Sequence, residues 1–283
     1  MSSDTLPAGH VPLGDVRVLL CDADGCLFPS EEPAFAASTA VTNELLADLG
    51  VEKRFTPEEL RAVAVGRNFR VTAVELALSF GVPLDAALAL GHDGARVGNA
   101  GDGPVLTAEE LERRVALERR EVSSHLGRVL EPDPAVREPL TELARRFGLA
   151  VVSSSALARL DACFDATALA GLFPPEVRFS AEDSLPVPTS KPDPAVYALA
   201  GERLGVAGGQ ALAIEDSVTG ARSAIAAGFP TIGNVLFVRP EEREGRTAGL
   251  RDAGVAQVVS SWWQLAALLG AGTPAPSGDP IGA

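Results

Sequence analysis

Lysine is almost absent from this chain of 283 residues: Lys53 and Lys191 stand alone among 24 basic residues, and the other 22 are arginine. Where guanidinium is used so freely, a lysine in a motif calls for the compact ammonium that a planar fork cannot mimic. Cysteine is scarce too. Cys21, Cys26 and Cys163 form an odd set without a C-x-x-C pair, which excludes a disulfide framework and suits a reducing compartment. His10, His92 and His125 are scattered, which excludes a His-rich zinc site. No run approaches the ~18 apolar residues of a membrane-spanning helix. The polar, acidic start (1–15) lacks the basic-then-apolar pattern of a secretion signal. A cytoplasmic location is the expectation.

Positive charge is in deficit as well, with 24 basic against 38 acidic residues and a net charge of −14. Nucleic acid and anionic membrane surfaces would be repelled on average, so neither is an expected partner. A small anionic substrate remains compatible where local cations or a metal offset the field. The 46% hydrophobic and 22% charged residues exclude disorder across the whole chain. The length, at roughly 150 residues per domain, allows two domains or one core with a large insert.

Short apolar runs punctuate the sequence and end in polar clusters. Val16–Cys21 stops at Asp22-Ala-Asp24-Gly25, Leu149–Val152 at Ser153-Ser154-Ser155, and Ala211–Ile214 at Glu215-Asp216-Ser217. Weaker runs cover Glu176–Phe179, Thr231–Val238 and Val255–Val259. Such near-continuous runs suit a parallel sheet covered on both faces. Helical patterns over 139–147, 156–162, 194–204 and 221–227 alternate with them, which predicts an α/β, Rossmann-like parallel-sheet core.

One segment breaks the alternation. Residues 31–130 read as helices over 33–49, 57–63, 67–80, 84–88 and 108–129, with a Gly-rich loop at 91–104. The expected organisation is therefore a discontinuous core (16–30 plus 131–270), an inserted all-helical cap (31–130) and flexible tails at 1–15 and 271–283.

Open α/β sheets bind ligands beyond the carboxyl ends of their strands. If the first, second and fourth strands are neighbours, Asp22, Asp24, Glu215 and Asp216 converge on one crevice. Two like charges ~4 Å apart repel by about 4 kcal/mol at an effective dielectric of 20. A hard divalent cation among oxygen ligands relieves that repulsion, and Mg²⁺ bound by one or two carboxylates plus a substrate phosphate is the expected form.

Asp22-Ala-Asp24-Gly25-Cys26-Leu27 resembles the D-x-D-G-[TV]-L first motif of the haloacid dehalogenase superfamily. Its other motifs follow in order: Ser153 after the second strand, Lys191 in Lys191-Pro192-Asp193-Pro194, and the acidic pair in Ile214-Glu215-Asp216-Ser217-Val218-Thr219-Gly220. The helical insert is similar to the subclass I cap of phosphoglycolate phosphatase-like and β-phosphoglucomutase-like members. The resemblance spans about 16–269. D-x-D-G alone is short enough to arise by chance; four motifs in sequence are not.

The resemblance implies roles. Asp22 would be the nucleophile, forming an aspartyl-phosphate, and Asp24 the acid/base. Ser153, with Ser154 and the backbone amides after it, would bind the phosphoryl group. Lys191 would neutralise charge on Asp22 and that group. Mg²⁺ would be held by Asp22, the Asp24 carbonyl and Asp216, with Glu215 acting directly or through water. An aspartate at position 24 points to phosphate-ester chemistry, because dehalogenating and phosphonate-cleaving relatives differ there. Two departures stand out: Cys26 replaces the commoner Thr, and Phe28-Pro29-Ser30 replaces an acidic-serine pair at the cap hinge.

The resulting expectation is a Mg²⁺-dependent phosphatase acting on a small phosphorylated metabolite, as a monomer or homodimer. One alternative is a phosphomutase of the β-phosphoglucomutase type, disfavoured by Ala156 where some mutases carry a basic residue. The other is a non-catalytic phospho-accepting or binding module, disfavoured by the presence of Asp24. In the cap, Arg67 and Arg70 are candidates for substrate selection, against the simpler reading that they are surface arginines among 22. The segment 239–251 has no assigned purpose at this level.

Overall fold

The computed structural model describes residues 15–64, 68–84 and 106–271. Arg67, most of the helix expected at 84–88, the Gly-rich loop 91–104 and nearly all of both tails lie outside the described residues. The chain divides into two compact units, with boundaries at Pro29/Ser30 and Val129/Leu130.

The first unit is a six-stranded parallel sheet. Its strands are β1 (Val18–Cys21), β2 (Gly148–Ser153), β3 (Arg178–Ser180), β4 (Ala211–Glu215), β5 (Thr231–Asn234) and β6 (Gln257–Val259), in the order β3-β2-β1-β4-β5-β6. Cys21 pairs with both Val151 and Ile214, so β1 lies between β2 and β4 with their carboxyl ends level. The order reverses between β1 and β4, and that switch point is where such sheets open a crevice for ligands. Leu19, Leu20, Ala150, Val151, Val152 and Ala211 through Ile214 are fully buried, as expected for strands covered on both faces.

The helices of this unit are α5 (Pro134–Ala144), α6 (Leu157–Ala166), α7 (Ala195–Leu204), α8 (Val218–Ala226), α9 (Arg243–Asp252) and α10 (Trp262–Leu268). Two of them, α5 and α8, start earlier than their apolar periodicity suggests, because capping sets their first turns. The Asp133 carboxylate accepts from Ala135 N–H, and Pro134 opens α5 five residues before the expected start. Ser217 Oγ accepts from Gly220 N–H at 3.1 Å and opens α8 at Val218. The run expected at Thr231–Val238 stops at Asn234, whose Oδ1 accepts from Leu236 N–H at 3.1 Å and turns the chain out of the sheet. Trp262, at the start of α10, is buried and donates its indole N–H to the Cys26 carbonyl at 3.1 Å. The last helix thereby steadies the loop that leaves β1.

The second unit is helical throughout its described residues: α1 (Glu31–Asp48), α2 (Pro57–Ala64), α3 (Phe69–Ser79) and α4 (Ala108–Val129). Leu45, Leu46, Leu60, Val74, Leu111 and Val115 form its core. Among the described residues, no helix is long and apolar enough to cross a membrane.

Candidate active site

Asp22 is the first residue past β1, and its N–H donates to the Ile214 carbonyl at 2.9 Å, which holds it beside the end of β4. The chain then turns sharply. Gly25 has φ of 78°, a left-handed conformation that glycine adopts without strain, and its N–H donates to Phe28 O at 2.9 Å. The glycine is needed for a second reason. A Cβ there would lie 2.5 Å from Asp216 Oδ2. Gly220 does the same for Glu215, whose carboxylate occupies the space that a Cβ at position 220 would take.

Asp22, Glu215 and Asp216 each offer a carboxylate oxygen, all within 4.8 Å of one another. Lys191 enters from the loop before α7, and its Nζ donates to Asp22 Oδ1 at 2.5 Å, Glu215 Oε1 at 2.6 Å and the Val152 carbonyl at 2.7 Å. Its side chain is only 6% exposed. All three ammonium protons have an acceptor, a geometry that suits a compact cation. Tyr197, on α7, donates its hydroxyl to the same Glu215 Oε1 at 2.5 Å. Glu215 Oε2 is buried without a hydrogen-bond partner.

Charge here is unbalanced, and the titration of the groups follows. Burial pushes the Asp22 carboxyl well above the usual range; Lys191 pulls it back, while Glu215 and Asp216 push it further up. Burial would lower Lys191, but Asp22 and Glu215 outweigh it and hold the ammonium protonated. Burial, then Glu215, raises the Tyr197 hydroxyl, which stays a donor. Burial also raises the Cys21 thiol, which is completely enclosed and behaves as a small apolar side chain.

These residues suit a hard divalent cation. The donors are all oxygens, three carboxylates meet, and one buried carboxylate oxygen has no partner. Nitrogen and sulfur ligands of the kind zinc favours are missing from the group.

Asp24 is placed apart from that cluster. Its Oδ1 accepts from Arg159 Nη2 and its Oδ2 from Ser155 Oγ, both at 2.6 Å. Ser153, at the end of β2, is 1% exposed and accepts from Ser155 N–H at 3.0 Å. Ser154 Oγ accepts from the Lys191 amide at 3.1 Å, tying the second motif to the third. Arg70 lies in the helical unit, where it donates to Glu112 Oε2 at 2.7 Å.

Four side chains at this site carry no motif signal. Ser155 and Arg159 hold Asp24. Tyr197 is the one tyrosine of the chain, and its place six residues after Lys191 is the sole hint it leaves in the sequence. Arg246, on α9, donates to the Asp216 carbonyl at 2.9 Å and lies 3.5 Å from Asp216 Oδ2. The segment 239–251, unexplained by sequence, thus delivers a cation to the edge of the acidic cluster.

A family model for haloacid dehalogenase-like hydrolases matches residues 16–228. The chain belongs to the haloacid dehalogenase-like hydrolases. Members of this family generally use Mg²⁺. No protein with a curated description matches the sequence. Among solved structures, a haloacid dehalogenase family hydrolase from Deinococcus radiodurans R1, with bound phosphate and sodium, is 26% identical; the match covers 92% of this chain and 99% of that one, with a TM-score of 0.58. CbbY from Rhodobacter sphaeroides, in complex with phosphate, is 23% identical over 88% of this chain and 96% of its own, with a TM-score of 0.60. A predicted phosphoglycolate phosphatase from Haemophilus somnus 129Pt is 18% identical over 90% and 98%, with a TM-score of 0.64. The last two speak to the fold of this haloacid dehalogenase-like hydrolase alone.

Proposed function

We propose that this hydrolase is a Mg²⁺-dependent phosphatase that cleaves a small phosphate monoester through an aspartyl-phosphate on Asp22. The observation that carries the reading is the meeting of Asp22, Glu215 and Asp216 at the switch point of the sheet, with Lys191 bonded to the first two and Asp24 two residues on from Asp22. Asp22, Glu215, Asp216 and the backbone carbonyl of Asp24 would hold the cation. When bound, Mg²⁺ offsets the charge of carboxylates and phosphoryl oxygens that otherwise repel one another.

The chain's own residues then divide the work. The Asp22 carboxylate attacks phosphorus as the bond to the ester oxygen breaks, and Asp24 gives that oxygen its proton. In the second half Asp24 takes a proton from water, the water oxygen bonds to phosphorus, and the bond to Asp22 breaks. Lys191 holds Asp22 in line and stabilises the charge on the phosphoryl group. The hydroxyls of Ser153 and Ser154, each with a proton to donate, and the amides at the start of α6 bind the phosphoryl oxygens. The helical unit serves as the cap, and its closure excludes water while the ester bond breaks. With a net charge of −14, nucleic acid is a poor partner and a small metabolite a better one. The phosphatase acts in the cytoplasm as a monomer or homodimer.

The test is a phosphate-release screen over sugar, polyol and short-chain acid phosphates with Mg²⁺, run beside Asp22→Asn. The substitution is expected to lower kcat by at least about 10³-fold while the protein stays folded. Near-native turnover in the variant would remove Asp22 from the role of nucleophile. An isomerised sugar phosphate without inorganic phosphate would instead identify a mutase.

A further inference from the structure

Two donors grip the Asp24 carboxylate, and no step of the proposed reaction uses them. Arg159 takes one oxygen and Ser155 the other, each at 2.6 Å. Both flank the opening of α6. Ser155 stands just before a helix whose first amides need acceptors. Yet Leu157 N–H donates to Asp183 Oδ2 at 2.6 Å, and Ala156, at the cap position, supplies no side-chain cap. The Ser155 hydroxyl goes to Asp24 instead. Arg159 is a cation in the first turn of a helix, the end at which the macrodipole disfavours positive charge. Its side chain is 25% exposed, so a long, flexible group has been ordered there. Both side chains hold Asp24.

We propose that Arg159, together with Ser155, is a positioning residue for Asp24. The pair fixes the rotamer of the carboxylate and keeps it out of the Asp22–Glu215–Asp216 cluster, so that the Asp24 carboxylate carries protons while only its backbone carbonyl joins the ligands. This rests on the phosphatase reading and deepens it. The steps served are delivery of a proton to the departing ester oxygen and its recovery from the attacking water. Arg159 exchanges no proton itself; a guanidinium stays charged throughout.

The experiment compares wild type with Arg159→Met, Arg159→Lys and Ser155→Ala on two esters, an alkyl phosphate and p-nitrophenyl phosphate. An alkoxide needs a proton to leave, whereas nitrophenolate does not. In Arg159→Met the steady-state rate on the alkyl ester is expected to fall about 10–100-fold, the scale on which misplacing a general acid is felt. On p-nitrophenyl phosphate the same variant is expected to release about one nitrophenol per enzyme in a burst, then turn over slowly, because water attack still needs Asp24. Arg159→Lys keeps a cation beside the carboxylate and is expected to restore most of the loss. Equal losses on both esters without a burst would overturn the proposal, as would an unchanged rate on the alkyl ester. Thermal unfolding separates loss of fold from loss of function; if Arg159→Met unfolds, Ser155→Ala is read by the same burst criterion. Full activity in Asp22→Asn would sink the aspartyl-phosphate route on which the proposal rests, and no phosphate release by the wild type from any ester would sink the phosphatase reading itself. An inactive Asp22→Asn beside an unaffected Arg159→Met would sink only the role of Arg159.

Discussion

Two glycines far apart in the chain do the same job at the scale of single atoms. Gly25 leaves room for the Asp216 carboxylate, and Gly220 leaves room for that of Glu215. The glycine of D-x-D-G reads from sequence as a turn residue, and its φ of 78° agrees. Gly220 closes the acidic motif in the sequence without a reason of its own there, since it lies in a helix where glycine is a poor choice. Only the carboxylate packed against it explains its presence. Gly220→Ala is expected to cost about 2–4 kcal/mol in urea unfolding, because the new methyl and a buried carboxylate compete for one space. A neutral or stabilising effect, as helix propensity alone would give, would contradict this packing. Tyr197 belongs to the same scale: it and Lys191 share one oxygen of Glu215, so the glutamate is held by a phenol and an ammonium at once.

At the scale of elements, helix ends position the chemistry. The start of α6 would face a phosphoryl group, and the helix depends on a residue from another loop for its cap. Asp183 accepts from Leu157 N–H at 2.6 Å, across 26 residues of sequence. Asp183→Ala is therefore expected to destabilise the protein by about 1 kcal/mol and to weaken binding of inorganic phosphate. Chemical denaturation and calorimetric titration check the two halves separately, and an unchanged phosphate affinity would break the link to the site. Apolar spacing alone places α5 and α8 too late, whereas Asp133 and Ser217 set the actual first turns. Both caps are local to the chain and legible in it. The cap on α6 is not, since nothing in the sequence near Ala156 announces a partner in the loop at 183.

At the scale of the molecule, the sheet order β3-β2-β1-β4-β5-β6 gathers the four motifs. β1 runs between β2 and β4, so residues 22, 153 and 215 become neighbours although well over a hundred positions separate the first two. The gathering has an electrostatic cost that a bound cation would offset. The Asp22 carboxyl is raised by burial and by Glu215 and Asp216, so the metal-free fold binds a proton there that the unfolded chain does not, from an ordinary carboxylate value of about 4 upward. That contribution to stability is present in full below about 4 and is lost as the pH rises through the raised value. A bound cation takes the proton's place. Addition of Mg²⁺ is therefore expected to stabilise the protein increasingly as the pH rises from about 4 through the raised value, reaching about 2.7 kcal/mol at a hundredfold excess over Kd. Thermal unfolding with and without chelator across that range checks it, and a pH-independent metal effect would count against Asp22 as a ligand.

From the sequence alone follow the α/β class, the helical character of the second unit, and the candidates Asp22, Asp24, Ser153, Lys191, Glu215 and Asp216, because each stands at a strand end or motif whose chemistry is local. The tertiary structure decided which groups hold them. Arg159 on Asp24, Tyr197 on Glu215, Arg246 on the Asp216 carbonyl and Asp183 on the Leu157 N–H of α6 are long-range contacts that no short pattern joins. A strand and its polar terminus are written within ten residues of chain. The partner of a buried charge is set by which elements the sheet stacks beside it, and that is a property of the packed molecule.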